Sequence, residues 1–209
     1  MEEFHPKMRR IGPLFLVCLS TYSFALSFIS AGLHPFILPL LVLEMAPEGL
    51  KGTYLSGLTI FGLALAAMVQ PASGALSDRA TFRWGRRRPY ILAGTLGLIV
   101  LLPLLGFAAS FVLLFCLYSA LQFISNIAQG PYQGLIPDLI PLERRGLASG
   151  AKALADLMGF VVSTFTTSYF MERGRLELAL ASMVMALALG SFLTLKGVRE
   201  ESPPLRASR

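Results

Sequence analysis

The sequence predicts an all-α polytopic membrane protein with six transmembrane helices arranged as a 3+3 bundle. Three observations lead there. Of 209 residues, 55% are hydrophobic and 14% charged, and the mean hydropathy is +0.66; an ordinary soluble domain carries about 25% charged residues. The apolar residues fall into six runs, each near or above the ~20 residues that a helix needs to cross the hydrocarbon core. The charges collect in the connections between the runs, and the positive ones collect on one side.

The expected spans are residues 12–43, 54–77, 89–109, 111–136, 146–170 and 176–195. They form a bundle over residues 11–195, between an N-terminal segment 1–10 and a tail 196–209. The first run is longer than one crossing needs and contains Pro35 and Pro39, so a kinked or tilted helix is expected. It follows Lys7, Arg9 and Arg10 and extends from Ile11 to Leu43, beyond the roughly 7–15 residues of a cleavable signal core. The third and fourth runs meet near Ala109–Ser110, which makes them adjacent and antiparallel.

Orientation follows from the basic residues. If the spans alternate in direction, fifteen Lys and Arg lie on one side: three in the N-terminal segment, five after the second span, three around the start of the fifth, and four after the sixth. Only Lys51, Arg173 and Arg175 lie on the other. The positive-inside rule then places both termini of a multi-pass protein on the cytoplasmic side; the inner (cytoplasmic) membrane is expected from the bacterial style of the chain, not from the charge count. The net charge of +6 is spread over these connections. It is not the basic face of a soluble domain, so nucleic acid is not an expected partner. Cys18 and Cys116 sit inside apolar runs, and His5 and His34 have no cysteine or carboxylate at ligand spacing. No metal, no cofactor and no enzymatic activity are expected.

Polar residues inside a membrane span are costly and face the bundle interior or a water-filled cavity. The fourth span carries Gln122, Asn126, Gln129 and Gln133 at offsets 0, 4, 7 and 11. At about 100° per residue these share one narrow face. The fifth carries Lys152, Asp156, Gly159, Ser163 and Thr166 on one face, and the second carries Gln70, Ser73 and Ser77 near one end. Such stripes serve either as interhelical packing or as the wall of a solute cavity. The third and sixth spans are nearly devoid of polar side chains and are expected to face lipid. Each would end a group of three helices, the 3+3 pattern of many transporters. Pro131 removes a backbone hydrogen bond and frees the carbonyl of Ile127. Lys152 and Asp156, four residues apart, can form an ion pair or link their helix to the arginine-rich connection. His34 is either a hydrogen-bonded interior residue or a titrating one.

Two motifs carry a family resemblance. Gly74, Asp78 and Arg79, followed by Gly85, Arg86, Arg87 and Arg88, resemble the loop between the second and third helices of the major facilitator superfamily. The string VQPASGALSDRATFRWGRRRPYI (residues 69–91) resembles the branch of sucrose/proton and other disaccharide symporters, and more distantly the melibiose-type cation symporters of the glycoside-pentoside-hexuronide group. NIAQGPYQGLIPDL (residues 126–139), which includes Tyr132 and Asp138, resembles the fourth helix of the same branch. The resemblance covers residues 11–195 as the N-terminal six-helix half of a twelve-helix fold. It implies a secondary transporter of a small polar solute, a sugar, working by alternating access between lipid-embedded halves.

The resemblance also implies roles. Helices one, two, four and five line the cavity, with Gln70, Gln122, Asn126, Gln129, Tyr132 and Gln133 on its wall. Gly74, Asp78, Arg79, Gly85, Arg86, Arg87, Arg88, Asp138, Lys152 and Asp156 belong to a cytoplasmic gate. Where the sucrose branch has an aspartate and an arginine on the fourth helix, this chain has Gln122 and Gln133. Where melibiose-type carriers have two carboxylates on the second, it has Ala66 and Gln70. Two readings of these departures stay open: facilitated diffusion, or coupling through a different group such as Asp156 or His34. The partner is a second copy in a homodimer or a separate C-terminal six-helix half. Two alternatives stay open: a split or truncated half inactive alone, and a non-transporting six-helix regulatory or assembly partner.

Overall fold

The computed structural model describes residues 12–82 and 84–198. The expected N-terminal segment 1–10, Arg83 and the tail from residue 199 onward lie outside the described residues. Among the described residues there are eight α-helices and no strand. In chain order they are α1 (Pro13–Gly32), α2 (Leu38–Met45), α3 (Lys51–Arg79), α4 (Arg88–Leu104), α5 (Phe111–Gln133), α6 (Leu135–Leu139), α7 (Leu142–Glu172) and α8 (Leu176–Gly197).

The prolines shape the first span as the sequence suggests. Pro13 opens α1 at the position where its missing N–H is harmless. At Pro35 the helix does not stop. It passes through a π turn, Leu33–Ile37, in which the Leu38 N–H bonds back to the Leu33 carbonyl. The wider turn accommodates a ring that lacks an N–H and crowds the preceding carbonyls. α1, the π turn and α2 together form one span, Pro13–Met45.

Five segments are long and apolar enough to cross a membrane: Pro13–Met45, Lys51–Arg79, Arg88–Phe107, Phe111–Leu139 and Leu176–Gly197. α7 covers the remaining expected span. It is long enough at 31 residues but less apolar than the other five. Several helices overrun the expected spans, because their polar ends continue past the apolar core. The fourth expected span is divided at Gly134 into α5 and the one-turn α6.

The packing has an internal two-fold pattern. α1 packs on α7 as α5 packs on α3; α1 packs on α8 as α5 packs on α4; and α4 meets α8 between them. Exchanging the first three spans for the last three preserves these neighbours. This is the 3+3 arrangement, which no single stretch of sequence displays. Close crossings depend on small residues. A Cβ on Gly190 would lie 2.6 Å from the Thr21 carbonyl oxygen, and one on Gly159 would strike the backbone of Phe24.

The third and sixth spans, expected to face mostly lipid, bury 33% and 39% of their apolar stretches inside the bundle. α4 buries Ile91, Thr95, Leu98 and Leu102, and α8 buries Leu180, Met183 and Leu187, against α1, α5 and each other. α3 and α7 bury few residues: α3 exposes Ile60, Leu63, Met68 and Leu76, and α7 exposes Leu154, Met158, Phe160 and Phe165. Packing against one central helix each leaves α3 and α7 at the flanks.

Candidate functional site

α1 and α5 stand at the centre of the bundle, and a cavity of about 370 Å³ lies between them. Its wall comes from α1, the π turn, α3, α5 and α7; neither α4 nor α8 contributes. All six expected wall residues meet here: Gln70 from α3, and Gln122, Asn126, Gln129, Tyr132 and Gln133 from α5. The 4-3-4 spacing along α5 puts its carboxamides on the face opposite α4.

The six are not equivalent. Asn126 and Tyr132 are each only 3% exposed. The Asn126 Nδ2 donates to the Gln122 carbonyl at 2.8 Å, and the Tyr132 hydroxyl donates to the Leu19 carbonyl at 2.7 Å. The first bond lies within α5, and the second ties α5 to α1. By contrast, the carboxamides of Gln70, Gln122, Gln129 and Gln133 have no protein hydrogen-bond partner among the described residues.

Two carbonyls near Pro131 accept side-chain hydrogen bonds. The Asn126 carbonyl accepts from the Ser73 hydroxyl at 2.9 Å, and the Pro131 carbonyl accepts from Arg87 Nη1 at 3.2 Å. The first of these bonds exists because α3 and α5 cross at Gly74 and Gly130. A Cβ on Gly130 would collide with the Gln70 carbonyl and the Ser73 hydroxyl and would lie 3.0 Å from the Gly74 amide nitrogen. Gly74 of the first motif thus meets Gly130 of the second.

Serines on α1 were missed by the sequence reading. Ser23, Ser27 and Ser30 join His34 on the cavity wall. Their signal is the spacing Ser20, Ser23, Ser27, Ser30, His34, which alternates three and four residues and marks one helix face. Singly, each reads as packing.

Lys152 and Asp156 also face the cavity, and Lys152 Nζ lies 2.8 Å from Asp156 Oδ2. Asp156 Oδ1 accepts hydrogen bonds from Ser23 and Ser27 of α1, the latter at 3.0 Å. The carboxylate therefore ties α7 to α1. Neither Lys152 nor Asp156 joins the arginine cluster, so their expected place in the gate is corrected: they are cavity residues, because α7 packs on α1 rather than on the connection before α4.

The arginine cluster is built around Arg87, whose side chain is 7% exposed. Its Nη2 lies 2.7 Å from Asp78 Oδ1, and its Nε lies 2.8 Å from Asp138 Oδ2. Arg86 Nη2 reaches the same Asp138 oxygen at 2.7 Å. The two carboxylates come from the end of α3 and from α6, so Arg87 clasps both sides of the connection. Gly134 leaves the space: a Cβ there would occupy the guanidinium position. Gly85 turns the chain at φ 108°, in the left-handed region that favours glycine.

Two other expected gate residues lie elsewhere. Arg88 Nη2 donates to the Leu195 carbonyl and ties the start of α4 to the end of α8. Arg79 is exposed and joins no ion pair among the described residues.

These features match known proteins. The family model described as Major Facilitator Superfamily matches residues 14–209. Sucrose transport protein SUT1 of Oryza sativa subsp. japonica is 30% identical over 141 residues, covering 54% of this chain and 26% of that protein. Sucrose transport protein SUC4 of Arabidopsis thaliana is 30% identical over 142 residues, covering 58% and 27%. Solute carrier family 45 member 4 of Mus musculus is 25% identical over 178 residues, covering 73% and 22%. The matched region thus spans about a quarter of the length of these relatives. A family match over nearly the whole chain, an all-helical 3+3 packing, and an arginine clasp joining the two motifs place this multi-pass membrane protein in the major facilitator superfamily.

Proposed function

We propose that the chain forms one six-helix half of a secondary transporter that moves a small polar solute, a sugar, by alternating access. The observation that carries this reading is the set of four unpartnered carboxamides, Gln70, Gln122, Gln129 and Gln133, in one cavity. A carboxamide both donates and accepts, as a sugar hydroxyl does. Leu26, Ile29, Leu33 and Leu121 on the same wall suit the C–H faces of a ring. Lys152 and Asp156, the two opposite full charges on the wall among the described residues, neutralise each other. The cavity volume falls at the lower end of about 300–1,000 Å³ for ligand sites. The relatives named as sucrose transport proteins support the same solute class.

In this reading the Arg87 clasp closes one side of the path and opens during each cycle. The excess of basic residues in the connections on that side supports a cytoplasmic position for it and for both termini. A second six-helix bundle, either another copy or a separate half, completes the cavity, and the exposed apolar flanks of α3 and α7 offer the contact.

The test is binding and uptake in nanodiscs and liposomes. The assembly mass comes first: 22.7 kDa per chain, or twice that for a homodimer. Sucrose and maltose should bind and be carried, and Gln129→Ala should weaken both. Absence of binding to any neutral sugar in an assembly that carries both halves would sink the sugar reading.

A further inference from the structure

We infer that the turn Phe82–Gly85, with Arg79 beside it, is a membrane-surface anchor that takes anionic phospholipid headgroups. The inference is independent of which solute is carried and needs only a bundle that spans a bilayer.

The outer edge of α3 marks where the hydrocarbon ends. Met68, Ala72, Leu76 and Arg79 lie at offsets 0, 4, 8 and 11, which at about 100° per residue is one face. That face is about half a turn from Ala66 and Gln70 on the cavity wall. A second bundle that completes the cavity therefore leaves it uncovered. Met68 is 64% and Leu76 60% exposed. The apolar row ends at Arg79, which is exposed and has no ion pair or hydrogen bond among the described residues. An arginine at the end of such a row lays its stem along the apolar surface and keeps its guanidinium among the headgroups.

Beyond Arg79 the chain makes a tight turn. The Gly85 N–H donates to the Phe82 carbonyl at 3.2 Å, and Gly85 adopts its left-handed φ there. Gly85 is buried, whereas Trp84 is 70% and Phe82 50% exposed. The Phe82 ring rests edge-on against Tyr90 of α4, with centroids 6.1 Å apart. The next two residues, Arg86 and Arg87, both hold Asp138, and Arg87 also holds Asp78. The turn is thus fastened to the bundle at its base, with the indole outside. An indole has an apolar body and a single N–H, and it is enriched at the headgroup level, where both are accommodated.

Charge selects the lipid. The described residues around the turn include Arg79, Arg86, Arg87 and Arg88 against Asp78 and Asp138, an excess of two positive charges. Both carboxylates are held by Arg86 and Arg87, and Arg88 donates to a carbonyl. Arg79 is the cation left over among these, and a phosphate is a ligand that its guanidinium suits. The excess charge favours lipids of net negative charge over zwitterionic ones.

Trp84 is the single tryptophan of the sequence, so intrinsic fluorescence reports this turn alone. The full chain is placed in nanodiscs of phosphatidylcholine and phosphatidylglycerol, with bromine either near the headgroup end of the acyl chains or near their termini. The first lipids should quench the emission and the second should hardly do so. Acrylamide in the water should quench it less than it quenches free tryptophan. Full quenching by acrylamide with no effect of either bromolipid would put the turn in water and overturn the anchor. Strongest quenching from the chain termini, or protection from every quencher, would overturn it too, by placing the indole in the hydrocarbon or under a partner protein. Lipid charge is tested by titrating the detergent-solubilised chain with short-chain phosphatidylglycerol or phosphatidylcholine and following the emission shift. Phosphatidylglycerol should reach half-effect at about fivefold lower concentration, and Arg79→Gln should remove that preference. Equal half-effects in the wild-type chain overturn the choice of anionic lipid without recourse to the variant. An equal response to inorganic phosphate would mean a simple ion site and overturn it as well.

Discussion

Arg87 Nε lies 2.8 Å from Asp138 Oδ2, with the guanidinium in the space that Gly134 leaves open. One buried cation thereby joins the two motifs, which are far apart in the chain. Asp78 and Asp138 keep solvent contact, so the loss of Arg87 costs chiefly its packing and its buried bond to the Pro131 carbonyl, about 1–3 kcal/mol. Arg87→Ala should therefore lower the thermal midpoint far more than Arg79→Gln, whose side chain is exposed. Equal midpoints in a melt of the two purified variants would contradict the clasp.

Asp78 is 53% exposed, and its pair with Arg87 is partly screened. Asp78→Asn should cost under about 1 kcal/mol of stability yet, on the proposed alternating-access reading in which the clasp re-forms in each cycle, reduce transport strongly. Uptake at the wild-type rate with normal expression would reduce the cluster to an anchor of topology.

The glycines of the α3–α5 crossing predict a contrast. Gly130→Ala forces a methyl group against the backbone at Gln70 and Gly74, which costs about 1–3 kcal/mol. Gly150 in α7 has nothing within 4 Å of an added Cβ. Gly150→Ala should be neutral or stabilise by up to about 1 kcal/mol. Differential scanning of both variants in one detergent settles the order.

The wall residues should separate by readout. Gln129→Ala removes a free carboxamide and should weaken solute binding by about 0.5–1.5 kcal/mol, roughly 2- to 12-fold, without lowering the melting point. Tyr132→Phe removes the bond to Leu19 and should lower the melting point instead. Calorimetric binding and melting of the two variants check the split.

Lys152 and Asp156 are 27% and 34% exposed, so their direct coupling should be modest. A double-mutant cycle with Lys152→Gln and Asp156→Asn should give a coupling below about 1 kcal/mol. Ser23→Ala with Ser27→Ala should destabilise the α1–α7 contact independently of Lys152. A large coupling energy would mean that the pair, rather than the serine bonds, holds α7 in place.

The sequence by itself determined the class of this protein, because a lipid environment admits few solutions. Long apolar runs must become helices, their backbone polar groups having no other partner. The period of the carboxamides on α5 marked a polar face, and the four-residue spacing of Lys152 and Asp156 marked a pair, since both are local properties of one helix. The serines of α1 obeyed the same period but went unread, because an isolated serine in a membrane helix has an ordinary packing role.

Only the tertiary structure decided which faces meet. The bond from Ser27 to Asp156 joins residues 129 apart, and that from Arg88 to Leu195 joins residues 107 apart. Such partners depend on helix crossings set by small residues such as Gly130, Gly159 and Gly190, whose effect is to admit a neighbouring backbone rather than to make a contact of their own. The sequence therefore named the polar residues. The crossings determined that Lys152 and Asp156 belong to the cavity, that Arg87 alone is the centre of the clasp, and that His34 stands against Tyr118.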